Sequence, residues 1–158
     1  IRPMETDTPA LRHLSRLGVE YEVRSHGRVN SLEEAAAARG VDPADLIKTM
    51  VVRRGEGDYL LVLVPGDRVI AWPRLRELLA VNRLSMPDAD EAQRVTGYAR
   101  GTITPFGLTT PLPVIADERI GGHPVSVGGG DHGVGVLLDG DTLISITEAT
   151  TADVTDPA

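Results

Sequence analysis

The sequence predicts an α+β fold: one domain over residues 1–158, with a curved, mostly antiparallel mixed sheet that curls toward a barrel and is flanked by helices. Three observations carry this. Two apolar runs, Lys48 to Arg54 and Tyr59 to Val64, are joined by Gly55-Glu56-Gly57-Asp58, which is a hairpin signal. Helix signatures fall before and after that hairpin, so helices and strands are mixed along the chain. Three further short apolar runs near the C-terminus are separated by tight glycine and proline turns. At 158 residues, with 41% hydrophobic and 25% charged content, the chain has the length and composition of one globular domain with a real core.

The elements follow in order. Thr8-Pro9 reads as an N-cap and first helical position, Leu11, Leu14 and Leu17 make one apolar stripe, and Gly18 ends the helix. Glu20 to Arg24 alternates around Tyr21 and Val23 and reads as a strand. Ser31 and Glu34 form a capping box that opens an alanine-rich helix ending at Gly40. Asp42-Pro43 starts a one-turn helix that ends near Ile47. After the hairpin, Pro65-Gly66-Asp67 turns the chain, and Pro73 to Ala80 is helical with Leu75, Leu78 and Leu79 inward. Asp88 to Thr96 is a further helix, closed by Gly97. Residues 97–113 are loop; Leu112 to Asp117, Pro124 to Val127 and Val134 to Leu138 are strands. Asp141 could cap a short helix, but Thr142, Ile144 and Ile146 favour a strand over 141–147.

Composition excludes several classes of function. There is no cysteine, hence neither a disulfide framework nor a thiolate nucleophile. No apolar run reaches membrane-spanning length and no signal-peptide pattern opens the chain, so the expected location is cytoplasmic, without a membrane partner. Ile1 is not an initiator methionine, and Met4 is taken to lie near the native start. The net charge of −7 argues against a general nucleic-acid coat protein. Its distribution is uneven: residues 39–100 hold ten basic against nine acidic side chains, whereas residues 101–158 hold Arg119 alone against eight acids. A polyanion would be tolerated only by the middle of the chain, where Arg53, Arg54, Arg74, Arg76 and Arg100 lie, and the acidic third is expected to face away from it.

Lys48 is the only lysine among sixteen basic residues, and it sits where a helical turn passes into a strand. An ammonium is a compact point charge with three donors, unlike the planar fork of arginine. Gly128-Gly129-Gly130-Asp131-His132-Gly133 matches G-x-G-x-x-G, but a strand rather than a helix follows, so it reads as a strand–turn–strand glycine turn with exposed amides, not a dinucleotide fingerprint. His13, His26, His123 and His132 show no metal-ligand spacing, and no G-x-S-x-G elbow is present. The segment Thr96-Gly97-Tyr98 to Phe106-Gly107 contains a rigid loop from Gly101 to Pro105, outside the inferred core, that offers backbone amides and threonine hydroxyls.

Taken together, Ile47-Lys48-Thr49, Thr96-Gly97-Tyr98 with the G-x-x-x-P loop and Leu112 to Asp117, and the turn Gly128 to Gly133 resemble the YbaK/ProX family of aminoacyl-tRNA deacylases, which includes the editing domain of bacterial prolyl-tRNA synthetases. The resemblance covers about residues 8–155. It implies a curved mixed sheet flanked by helices, and hydrolysis in trans of the ester joining a wrong amino acid to the 3′-terminal adenosine of tRNA. It implies catalytic roles for Lys48, engaging the terminal nucleotide, and Gly101, positioning the ester. Substrate-binding roles fall to Thr49, Thr102, Ile103, Thr104, Pro105, Gly128, Gly129 and His132. No metal or cofactor is implied, because the substrate's own ribose hydroxyl and an ordered water replace a protein nucleophile. Mischarged tRNA is the implied partner, and an aminoacyl-tRNA synthetase is admitted as a second; the oligomeric state is left open. The Cys-tRNA deacylase branch carries a serine and an aspartate at the positions that align with Gly128 and Gly135, so cysteine is disfavoured; His132 is closer to branches that remove alanine or similar small residues. Two other classes stay open on the residues alone: a non-catalytic module that binds an aminoacyl or nucleotide ligand, and an enzyme that uses Lys48 as a Schiff base.

Overall fold

The structure is a computed structural model and describes residues 7–158; the expectations placed on Ile1 and Met4 lie outside the described residues. Helix α1 (Pro9–Leu17) begins where the Thr8 hydroxyl accepts from the Leu11 amide and ends at Gly18 with φ of +69°. Its inner face is Ala10, Leu11 and Leu14, whereas Leu17 points outward. Strand β1 (Glu22–Ser25) leads to α2 (Leu32–Arg39), capped by the Ser31 hydroxyl and closed by Gly40. A single 3-10 turn (Pro43–Asp45) delivers the chain into β2 (Leu46–Gly55), which folds back on β3 (Asp58–Pro65) with Lys48 opposite Val64 and Val52 opposite Leu60. Next come β4 (Arg68–Ile70), α3 (Trp72–Leu79) and α4 (Ala89–Thr96), the last capped by Asp88. After the long loop lie β5 (Val114–Asp117), a 3-10 turn (Glu118–Ile120), β6 (Pro124–Gly128), β7 (Val134–Asp139), α5 (Gly140–Ile146), β8 (Thr150–Ala152) and β9 (Thr155–Pro157).

Seven strands form one mixed sheet in the order β1-β7-β6-β2-β3-β5-β8, with β1 and β8 at its edges; β4 and β9 pair separately. The pairs β1/β7, β6/β7 and β2/β3 are antiparallel, and β2/β6, β3/β5 and β5/β8 are parallel. With β4/β9 also antiparallel, four of these seven strand pairs are antiparallel and three parallel. Parallel partners need long crossovers, and local turn chemistry does not reveal them. Strand β3 is central and buried on both faces. Leu61 and Leu63 join α1, α5 and Phe106 in one core, while Leu60, Val62 and Val64 join Leu75 of α3 in the other, which is why this strand reads as an unbroken apolar run.

The segment 141–147, ambiguous between a short helix and a favoured strand, is helix α5. Leu143 packs into the core, and the Gly140 amide donates to the His123 carbonyl at 2.8 Å. Tertiary packing overrides the β-branched signal of Ile144 and Ile146.

Asp117 ends β5 and is wholly buried. It accepts from the Thr155 hydroxyl (2.8 Å), the Val154 amide (3.3 Å) and the Arg119 guanidinium (3.2 Å), and so ties the C-terminal segment to the sheet. Replacing it by alanine strands the buried Thr155 hydroxyl and Val154 amide. Asp117→Ala is expected to lose about 3 kcal/mol of stability, and Asp117→Asn less, measured by denaturant unfolding; an unchanged midpoint for the alanine variant would refute the tie.

Candidate active site

The site forms where the sheet opens. Strand β2 is flanked by β3 along its length, but β6 meets it only at Leu46 opposite Ser126 and Ile47 opposite Val127. Farther on, Arg53 exchanges hydrogen bonds with Ser85 (2.7 and 3.0 Å). Between those two attachments β2 borders a cavity of about 610 Å³. Lys48 and Thr49 from β2, Gly101 and Ile103 from the long loop, and Gly128 at the end of β6 all line it, as do Arg39 and Arg100.

Lys48 is half-buried, and its Nζ donates to the Arg68 carbonyl at 2.7 Å. Burial lowers its pKa below the ordinary lysine value, against the pull of the nearby Asp67 carboxylate. One of its three protons is engaged by that bond, which holds the ammonium in place.

The loop that carries Gly101 is held from several sides. The Tyr98 hydroxyl donates to the Phe106 carbonyl at 2.7 Å, and burial pushes that phenol up to about 12, so it remains a neutral donor. The Thr102 amide and hydroxyl both donate to the Ala99 carbonyl, at 3.0 and 2.7 Å. The Gly107 amide donates to His13 Nδ1 at 2.9 Å. Gly101 itself has φ of +84°, a left-handed conformation that a side chain strains, and a Cβ there would sit 3.5 Å from His132 Cε1. The loop and the glycine turn therefore face each other across this residue. Although the loop is expected to lie outside the core, the backbone conformation at 101 strains any side chain.

Gly128 approaches the loop so closely that a Cβ would lie 3.3 Å from the Ile103 carbonyl. Gly129 binds scaffold: its amide donates to the Val134 carbonyl (2.9 Å) and its carbonyl accepts from the Thr8 hydroxyl (2.6 Å). The turn joins two strands, as its sequence indicated, and not a strand to a helix.

The expected residues thus separate. Lys48, Thr49, Gly101, Ile103 and Gly128 border the cavity. Thr104 and Pro105 are buried behind it, Thr102 and Gly129 are engaged elsewhere in the fold, and His132 is exposed over Gly101. The hydroxyls of Thr49 and Thr104 are buried with no hydrogen-bond partner, which makes them candidates for a ligand or water. Among the described residues no group of three His, Asp or Glu side chains converges as a metal site. Of the five arginines expected to face a polyanion, Arg53, Arg54 and Arg74 are paired with Glu91, Asp58 and the Asp153–Asp156 pair respectively; Arg100 borders the cavity. Because Arg74 meets the C-terminal acids, the acidic segment does not wholly face away from the basic middle. Sequence reasoning missed Arg39. It closes α2 just before Gly40, where a cation usually caps a helix end in water, and that pattern concealed it.

A mixed sheet opens over a cavity bordered by a half-buried lysine and the start of a glycine-rich turn. The chain belongs to the aminoacyl-tRNA editing domain family, whose profile matches residues 26–146. It is 35% identical over 118 residues to the proline–tRNA ligase of Syntrophotalea carbinolica, covering 72% of this chain and 20% of that one. It is 24% identical over 152 residues to the prolyl-tRNA editing protein ProX of Acetoanaerobium sticklandii, covering 92% and 93%. A solved structure provisionally described as a trans-editing enzyme for prolyl tRNA synthetase superposes with a TM-score of 0.84 at 25% identity, over 96% of this chain and 99% of that one. The chain spans about a fifth of the length of the proline–tRNA ligase. Among the described residues no helix is long and apolar enough to cross a membrane.

Proposed function

We propose that this chain, one editing domain over residues 1–158, is a cytoplasmic trans-editing hydrolase that cleaves the ester between a wrong amino acid and the 3′-terminal adenosine of tRNA, without a metal or a protein nucleophile. The observation that carries the proposal is the convergence of Lys48, Thr49, Gly101, Ile103 and Gly128 on one cavity at the opening of the sheet. In this reading the Lys48 ammonium holds the terminal nucleotide and the Gly101 backbone positions the ester. Backbone donors and one cation are sufficient to stabilise a developing oxyanion. In this reading the attacking water is activated by the substrate's own ribose hydroxyl. Mischarged tRNA is the substrate, and the likeness to proline–tRNA ligases supports a working relation to such a synthetase. Contact with the acceptor end is expected to be weak and to weaken further with salt.

The test is deacylation of alanyl-, seryl-, threonyl- and cysteinyl-tRNA by the full chain. Turnover of at least one supports the hydrolase; tight binding of all without turnover supports a binding module. Activity is also expected to survive exhaustive chelation. A loss that zinc restores would overturn the metal-free reading and return Asp131 and His132 to consideration.

A further inference from the structure

The cavity has a second cation. Arg39 is the last residue of α2, and its guanidinium lies against Gly135 of β7, only partly exposed. An ideal Cβ on Gly135 would lie 2.5 Å from Arg39 Nε and 2.8 Å from Cζ, so glycine at 135 is what admits the guanidinium. Its two side-chain contacts are long and neutral. Nε donates to His26 Nε2 at 3.4 Å and Nη1 to the Ser126 hydroxyl at 3.5 Å, the outer limit of hydrogen bonding. With His26 Nδ1 set against the Gly27 carbonyl at 2.9 Å, Nε2 is available as the acceptor. No carboxylate among the described residues forms an ion pair with Arg39. Burial lowers its pKa, but an arginine remains charged.

A partly desolvated cation with unused donors and no counter-charge is a ready partner for an anion. Arg39 borders the same cavity as Lys48, at the end where β2 still pairs with β6. Two arginines therefore differ in what they can reach. Arg100 is exposed and suits a solvated phosphate of the polynucleotide, whereas Arg39 is only partly exposed and borders the cavity together with Gly128. Gly128 adds no side chain to compete for the space.

We propose that Arg39 selects the amino acid: the pocket takes an aminoacyl group whose side chain ends in a carboxylate, aspartyl or glutamyl, which the guanidinium clasps through two N–H donors. This rests on the editing function above and departs from the small apolar residues that His132 suggests. Bidentate pairing explains why arginine and not lysine serves here, and His26 and Ser126 act as positioning residues for the fork.

The test separates this proposal from hydrolysis itself. Non-hydrolysable 3′-aminoacylamido-adenosines carrying aspartyl, glutamyl, asparaginyl or alanyl groups are titrated calorimetrically into the full chain and into Arg39→Leu and Arg39→Lys. The native chain should bind an acidic analogue at least about tenfold more tightly than the alanyl one. Arg39→Leu should weaken the acidic analogues more than the alanyl one and so erase that preference, and Arg39→Lys should keep part of it. Equal binding of acidic and alanyl analogues by the native chain overturns the proposal, as does an equal loss for all four in Arg39→Leu, which would assign the arginine to the shared adenosine. If Arg39→Leu does not fold, the native chain's preference and its reduction in Arg39→Lys decide the matter. A chain that prefers acidic analogues but hydrolyses no ester refutes the hydrolase alone; one that hydrolyses alanyl-tRNA without acidic preference refutes the role of Arg39 alone.

Discussion

Lys48→Ala is expected to remove most deacylation activity and leave the fold standing. The ammonium is held in place by its bond to the Arg68 carbonyl and is partly stripped of water by burial. A charge so placed acts more strongly on a substrate anion than it would in bulk solvent. Deleting one such donor typically removes about 2–4 kcal/mol of transition-state stabilisation, roughly a 30- to 1,000-fold fall in kcat/KM. Lys48→Arg should recover only part, since a planar fork cannot keep the Arg68 contact and place its remaining donors where an ammonium held them. Stability should change by no more than about 1 kcal/mol, because one hydrogen bond is lost and a desolvation cost is relieved with it. Single-turnover deacylation and thermal unfolding of both variants provide the check. A fully active Lys48→Arg, or a Lys48→Ala inactive only because it unfolds, would make Lys48 part of the scaffold.

The features legible in the sequence are those fixed by near neighbours. Thr8, Ser31 and Asp88 announce their helices because each hydroxyl or carboxylate caps an amide three residues on. The hairpin between β2 and β3 is legible because its turn lies between its strands. The parallel pairings of β2 with β6 and β3 with β5 are not, because they join residues dozens of positions apart through intervening helices. Strands β4, β8 and β9 escaped the sequence reading for a related reason: each is three residues long and exists through its partner. The site divides in the same way. Lys48, Gly101 and Gly128 stand out through motif and residue type, but the cavity they share arises because β2 parts from β6 after Ile47, a matter of register. Arg39 became visible only once Gly135, nearly a hundred positions away, was seen beneath it.

Gly101→Ala is expected to abolish most turnover, but its interpretation requires a control. At φ of +84° an added Cβ strains the backbone whatever space surrounds it, and this costs about 1–2 kcal/mol. A loss of activity could therefore reflect a displaced loop as well as a blocked ester. Gly122 supplies the comparison. It has φ of +88°, nothing within 4 Å of its ideal Cβ, and a place in the turn before β6 outside the cavity lining. Gly122→Ala should show the same strain and a similar loss of stability with turnover intact. Gly101→Ala should lose at least about tenfold in kcat, the consequence of a misplaced reacting group, because its Cβ is added to the backbone proposed to position the ester and projects toward His132. Gly101→Val, bulkier and β-branched, should lose more on both counts. Denaturant unfolding and single-turnover kinetics on the three variants separate strain from obstruction. Wild-type turnover in Gly101→Ala, or activity losses in both alanine variants that simply follow their stability, would reduce the loop to a connector.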